Sequence, residues 1–397
     1  PVPGAEPGAD PGAPPGAQPG AAPAAGDRTG ISDTEIVIGI HAPVTGAAPF
    51  PQNSFESGKD IYFQFLNETR GGIHGRQVRV VFRDDRFDPR SAVAACREMV
   101  ENDGVFLLIG GGGSDQIGAC AAYANSVGVP YLSAGVQTAG LDQLRGYFAL
   151  SATYAQQAPL LAQLIRSQHA GKPVALVVAE GENLDDYFNT QLQALRDVGI
   201  EPVLTRRIPK STSQADALTI ANQLRGSGAQ AVVFNASPVS FLNVSAASAG
   251  QGYRPTWLGP GVTNGLATVA TVGCAAANSV DGAQFFSPFP QLDAIDAIDP
   301  DYRPAYRQFA GAEPDDLGIA LWGLGKLVAA FLEAAGPDVS RQSLVSLLES
   351  GQVFQTGVFP PVAYSPQSHL GGSQVHLLQA NCAAGAWQTV ATFAGGF

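Results

Sequence analysis

At 397 residues, with 45% apolar and 14% charged side chains, the chain is long enough for two or three domains and apolar enough to fill them. Its formal charge of −12 sets up a field that repels nucleic acid and anionic lipid, which argues against a nucleic-acid binder. No run approaches about 18 uninterrupted apolar residues, so the chain is expected to span no membrane.

Residues 1–30 are almost wholly Pro, Gly and Ala and cannot bury a core; they read as a disordered or polyproline-like tether. A plain spacer accounts for that composition. The sharper expectation is an exported protein, in mature or trimmed form, held off a membrane through a lipidated residue upstream of Pro1.

From residue 31 short apolar runs alternate with helical patterns. Strands are expected at 35–40 (EIVIGI), 76–82, 105–109 (VFLLI) and 130–133, separated by helices at 57–68, 89–101 and 115–125. The rhythm restarts with helix 158–167, strand 173–178, helix 187–197, strand 202–206, helix 214–225 and strand 231–234. Helix 239–249, strand 256–258, an extended run at 282–286 and helices 304–309 and 317–335 follow. The pattern predicts an α/β protein of two doubly wound parallel-sheet lobes in series, with the cleft between them as the default site.

Within this frame Asp88 before Pro89 reads as a helix N-cap, and Gly71, Gly72 and Gly75 around Ile73 as a helix-to-strand turn that accepts positive φ. Cys96, Cys120, Cys274 and Cys382 have no C-x-x-C spacing and no His nearby in the sequence, which argues against zinc. Three pairings are open, as are four free thiols. Cys96 with Cys120 is favoured because each sits on one of two successive helices flanking a strand, leaving Cys274 with Cys382.

Three chemistries compete. Gly110–Gly113 after a strand could cradle an anion, but dinucleotide spacing and a P-loop Lys are both lacking, and a turn needing positive φ is the plainer account. Hydrolysis finds no support in His41, His74, His169, His369 and His376, which form no recognisable pairing, and no G-x-S-x-G elbow occurs. Asp84 and Asp85 alternate across a strand and cannot serve one site; shaping the turn toward Asp88 is their simpler role. No catalytic residue, metal ligand or cofactor site is assigned, and the chain is read as not an enzyme.

The third chemistry is capture of a small molecule. The segments IGIHAPVTG, GKDIYFQFLNETRGGIHGRQVRVVFRDDRFDPRSAVAACREMV and LIGGGGSDQIGACAAYANSVGVPYLSAG occur in that order. They resemble the branched-chain amino acid type of periplasmic solute-binding proteins of ABC importers, type I fold, across residues 31–397. The resemblance implies three crossovers, near 149–151, 282–285 and 354–357. One lobe would comprise 31–150 with 284–353 and the other 151–283 with 354–397. It implies an extracytoplasmic monomer, periplasmic or extracellular, that hands its ligand to an importer permease; a ligand-sensing ectodomain of the same fold is the alternative.

Carried over by position, the resemblance places Ser114, Gly135 and Gln137 at the ligand carboxylate and Phe50 or Pro51 as an aromatic side wall. Tyr154, Asn183, Asn235, Ala236 and Ser237 fall on the facing side. Trp322 reads as core, at a position the family has near the hinge. Two departures matter: Gln137 stands where the family usually has Thr, and Gly261, in TWLGPGVTNG, where amino acid binders tend to present the Glu that pairs with the ligand ammonium. A buried ammonium without a carboxylate is costly, and Asp115, Asp185 and Asp186 are the substitutes at hand. The expected ligand is therefore a small carboxylate or amide-like compound with an apolar or aromatic body, with an amino acid requiring another acid.

Overall fold

The computed structural model describes residues 26–134, 140–261 and 265–394. In chain order the first elements are β1 (Glu35–Ala42), α1 (Gln52–Gly58), α2 (Ile61–Arg70), β2 (Gln77–Asp84), α3 (Pro89–Glu101), β3 (Leu107–Gly110), α4 (Ser114–Val127), β4 (Tyr131–Ser133) and β5 (Tyr147–Ala149). The middle of the chain runs α5 (Tyr154–Gln168), β6 (Val174–Ala179), α6 (Glu182–Asp197), β7 (Leu204–Ile208), α7 (Gln214–Ser227), β8 (Ala231–Asn235), α8 (Pro238–Gly250) and β9 (Thr256–Gly259). Then come α9 (Ala267–Ala275), β10 (Gln284–Ser287), α10 (Ile295–Ile298), α11 (Tyr302–Ala310), α12 (Asp316–Ala335), α13 (Arg341–Leu348), β11 (Val375–Asn381) and β12 (Ala386–Ala394).

Two sheets result. The first is parallel throughout, in the order β2-β1-β3-β4-β5, and the second runs β12-β11-β10-β9-β8-β6-β7. Each has a core on both faces, as helix–sheet–helix layers require. In β1 the alternation is explicit: Ile36, Ile38 and Ile40 face α2 and α12, while Val37 faces the Cys96–Cys120 side. The doubly wound reading holds for the parallel strands, but β11 pairs antiparallel with β10 and β12, so the second lobe ends in a hairpin.

The expected helix at 57–68 is two helices, broken after Gly58, where a Cβ would lie 2.9 Å from Leu321 Cδ1 and 3.2 Å from Gly318 Cα. Close approach of α1 to α12 leaves no room for a side chain at position 58. Gly71 caps α2 in the left-handed region with Ile73 buried behind it, and Asp88 accepts from Ser91 N at 2.8 Å. Both disulfides have the favoured pairing, with Cα separations of 6.1 Å for Cys96–Cys120 and 5.1 Å for Cys274–Cys382.

Two crossovers lie further along the chain than the resemblance implied. β10 pairs with β9 in the second sheet, with Phe285 stacked edge-on to Phe241 and Trp387, so the return to the first lobe follows Ser287 and residues 284–287 belong to the second. Phe354 packs on Phe331 of α12, Tyr364 donates to Ala149 O at 3.0 Å, and Leu370 bridges to Ala149. Residues 354–370 therefore stay with the first lobe, and the last crossing lies at about 371–374, where Gly372 abuts Ser151 and Ala152 too closely for any Cβ. α12 has the length of a membrane span, yet 72% of its most apolar 18-residue stretch is buried, with Trp322 donating to Asp299 Oδ2 at 2.7 Å inside an aromatic cluster. Trp322 is thus core.

Asp27, at the end of the Pro/Gly/Ala-rich segment, is fixed to the first lobe. Asp27 pairs with the buried Arg341 guanidinium at 2.7 Å, which also donates to Val105 O and Phe106 O.

Candidate functional site

The carboxyl ends of the parallel strands gather the loops that form the site. At the end of β2 the two acids diverge, as alternation demands. Asp84 accepts from Val44 N, Thr45 N, Thr45 Oγ1 and Arg86 N and so shapes the loop after β1. Partial burial would raise its pKa, but these hydrogen bonds together hold it below the usual carboxylate range. Asp85 is wholly buried, accepts from Phe87 N and meets His41 Nδ1 at 2.8 Å; His41 Nε2 meets the Tyr131 hydroxyl at 2.7 Å. Turn formation is therefore part of the role of both acids, and Asp85 also orients a buried His. Tyr131 is itself sealed from solvent, so this chain of groups ties β1, β2 and β4 together without presenting a nucleophile. Cys96 and Cys120 lie beside His41, with donor atoms within 4.8 Å, but as a disulfide they supply no thiolate.

The glycine run has a different cause from the one expected. None of Gly110, Gly111, Gly112 and Gly113 takes a positive φ. A Cβ on Gly110 would enter the His41 ring and the Tyr131 hydroxyl, and one on Gly112 would meet Pro43 and Phe50. These residues are glycines because neighbouring side chains press against them. Gly113 is the cap residue of α4 and Ser114 its first helical residue, so Ser114 is not the N-cap.

Directly against Gly110 and Gly111 lies an apolar pocket, part of it open to solvent. Its sheet side is Ile40, His41, Ala42, Ile109 and Ala134, and its flank is Phe50 with Phe55. Leu317, Ala320, Leu321 and Leu324 of α12 form the opposite wall, and Leu266, Phe289 and Phe359 close it near the crossovers. His41 offers only ring carbon here, since both its nitrogens are engaged.

Of the residues singled out from the sequence, Phe50 is in this wall, stacked 6.1 Å from Phe55. Ser114 begins the helix that follows Gly111 by three positions. Gly135 and Gln137 lie outside the described residues, and Asn183 falls in the first turn of α6. Tyr154 opens α5 and packs on Tyr187 at 5.7 Å, where burial pushes its hydroxyl pKa up. Asn235 ends β8 buried, its Nδ2 without a partner among the described residues, whereas Ser237 caps α8 by accepting from Ser240 N. Gly261 is buried, and a Cβ there would stand 2.6 Å from Phe286 O, so even a small side chain would displace backbone.

Sequence reasoning missed Phe55 and the α12 wall. The available signal was that α12 is apolar on every side, more than contact with one core needs.

Among the polar contacts between the lobes, two bear on the cleft. Across the cleft, Lys210 after β7 pairs with Asp115 of α4 at 3.1 Å. Deeper, Asp316 at the start of α12 accepts from Ala267 N of α9 at 2.6 Å. The first pair is half-exposed, so Lys210→Ala is expected to weaken ligand binding by no more than about fivefold, a deficit that shrinks at high salt. Calorimetry at two ionic strengths checks this, and an undiminished deficit would show that Lys210 acts otherwise.

The periplasmic binding protein profile matches residues 35–386. An "amino acid binding protein" of Pseudomonas aeruginosa is 25% identical over 205 residues, 50% of this chain and 53% of its own. The chain thus matches about half the length of its curated relatives. Among solved structures, a possible leucine/isoleucine/valine-binding protein from Rhodopirellula baltica superposes with a TM-score of 0.76 at 17% identity, covering 92% of this chain and 98% of its own. A fatty acid ABC transporter substrate-binding protein from Thermomonospora curvata gives 0.75 at 18% identity, covering 94% of each chain.

Proposed function

The chain belongs to the periplasmic binding protein family, and we propose that it captures a carboxylate with an apolar body between its lobes and presents the closed complex to an ABC importer. The observation that carries the ligand reading is an apolar pocket at the strand ends whose polar neighbours are already engaged. An α-amino acid needs an acid for its ammonium, and position 261 is a glycine packed against backbone. Four acids around the cleft have partners of their own, Asp115 with Lys210, Asp185 with Arg207, Asp84 with the loop after β1 and Asp316 with Ala267 N, while Asp186 lies exposed on α6. A carboxylate head makes no such demand, and the first turn of α4, beside Gly111, is a place where backbone N–H groups favour negative charge.

The family works outside the cytoplasm, an oxidising setting in which two disulfides persist. Tethering to a membrane through the Pro/Gly/Ala-rich segment is our further reading, supported by the fixing of Asp27 to the first lobe. Release of the native protein by salt washing alone would count against it.

A thermal-shift screen tests the ligand class. Phenylacetate or octanoate at about 100 times its dissociation constant is expected to add about 2.7 kcal/mol and raise the melting point by a couple of degrees, with leucine and valine silent. Tight leucine binding would overturn the reading of Gly261.

A further inference from the structure

The pocket belongs almost entirely to one lobe. Ile40 and Ile109 come from the first sheet, and the α12 wall runs from Leu317 to Leu324; Leu266 is the contribution of the second lobe. That stretch of α12 is two turns, about 10 Å of apolar wall. No ring nitrogen of His41 is left to bind a polar group at the floor.

We propose that this pocket takes the alkyl tail of a medium-chain carboxylate, and that the tail sets affinity while the head, which alone bridges the lobes, sets closure. The inference rests on the solute-capture reading above. A ligand shifts an open–closed equilibrium only through the difference in its affinity for the two forms. Contacts confined to one lobe are the same in both, so burying the tail lowers the free energy of open and closed complexes alike. The head, at the first turn of α4, gains partners from the second lobe only when the lobes meet.

The test uses the full chain with butyrate, hexanoate, octanoate and decanoate, together with 1-octanol and leucine. Calorimetry gives affinity, and small-angle scattering at saturation gives closure. Binding is expected to tighten about fourfold per added methylene from butyrate to octanoate. Closure should be equal for every carboxylate and missing for octanol, which binds by its tail. Ala320→Phe, which fills the wall of the pocket, should weaken octanoate by about tenfold or more and change butyrate by less than about twofold. The native chain-length series decides the matter even should that variant fail to fold. Affinity that stays flat with chain length, closure that grows with the tail, or closure by octanol would overturn the tail subsite while leaving solute capture standing. Binding of leucine with rejection of the carboxylates would do the same. Silence across the whole panel would overturn capture and the inference together.

Discussion

Replacing Cys274 and Cys382 together by serine is expected to remove about 5 kcal/mol, the chain entropy of opening a loop of 108 residues. Cys96 and Cys120, 24 residues apart, should cost about 3 kcal/mol. The difference in place matters as much as the difference in size. Cys274 ends α9 and Cys382 lies in the turn between β11 and β12, so this bond fastens the C-terminal hairpin to the second lobe. The loop it closes runs out through α10 to α13 in the first lobe and back, so without the bond the hairpin returns only by closing that whole excursion. Cys96–Cys120 joins α3 to α4 beneath the first sheet. The two variants should therefore melt different lobes. Calorimetric scans are expected to show the second-lobe transition falling by roughly 8 °C or more in the Cys274/Cys382 variant while the first-lobe transition moves little. Trp257 and Trp387 report one lobe and Trp322 the other, so fluorescence assigns the transitions. Equal shifts in both lobes would mean that the lobes unfold as one unit.

The sequence carried the parallel strands well because their signal is local. Residues 174–179 and 231–234 are buried on both faces and read as unbroken apolar runs, VALVVA and AVVF. The α3 boundaries were legible from Asp88 and Pro89 at one end and the loss of apolar spacing at the other. What was hidden depends on remote partners. The need for glycine at position 58 comes from Leu321 and Gly318, more than 250 residues away. The hairpin β11–β12 lacks a simple alternation because its register shifts between Val375 and Leu378. The site was legible in part: Phe50 was placed in a wall by resemblance, but the α12 wall could not be separated from core by periodicity, since one side of that helix meets Tyr62 and Tyr302 while another faces the pocket. Gly110–Gly113 shows the converse, a conspicuous motif whose cause, crowding by His41, Tyr131, Pro43 and Phe50, leaves no trace in the run itself.

Asp316→Asn is expected to stabilise the protein at neutral pH and to change little near pH 4. Asp316 is 6% exposed, and burial, reinforced by the neighbouring Asp315 charge, raises its carboxyl from 3.8 to about 6 against the opposing pull of the Ala267 N–H. A group whose folded pKa is raised contributes stability that is present below the unfolded pKa and lost as pH climbs through the folded one. The window here is about pH 4 to 6, and a shift of about 2 units corresponds to roughly 3 kcal/mol. Asparagine keeps an oxygen for the Ala267 N–H and carries no charge to bury, so its advantage should appear across that window and level off above it. His376 works in the other direction. Burial lowers its pKa to about 4, so its contribution is present above pH 6.5 and lost as pH falls toward 4, which gives the native protein an acid limb that Asp316→Asn leaves in place. Denaturant titrations at pH 4, 5, 6 and 7.5 separate the two. A neutral-pH loss of stability in Asp316→Asn would show that the charged carboxylate, held by the Ala267 N–H at the start of α12, is worth more to the junction of the lobes than its burial costs.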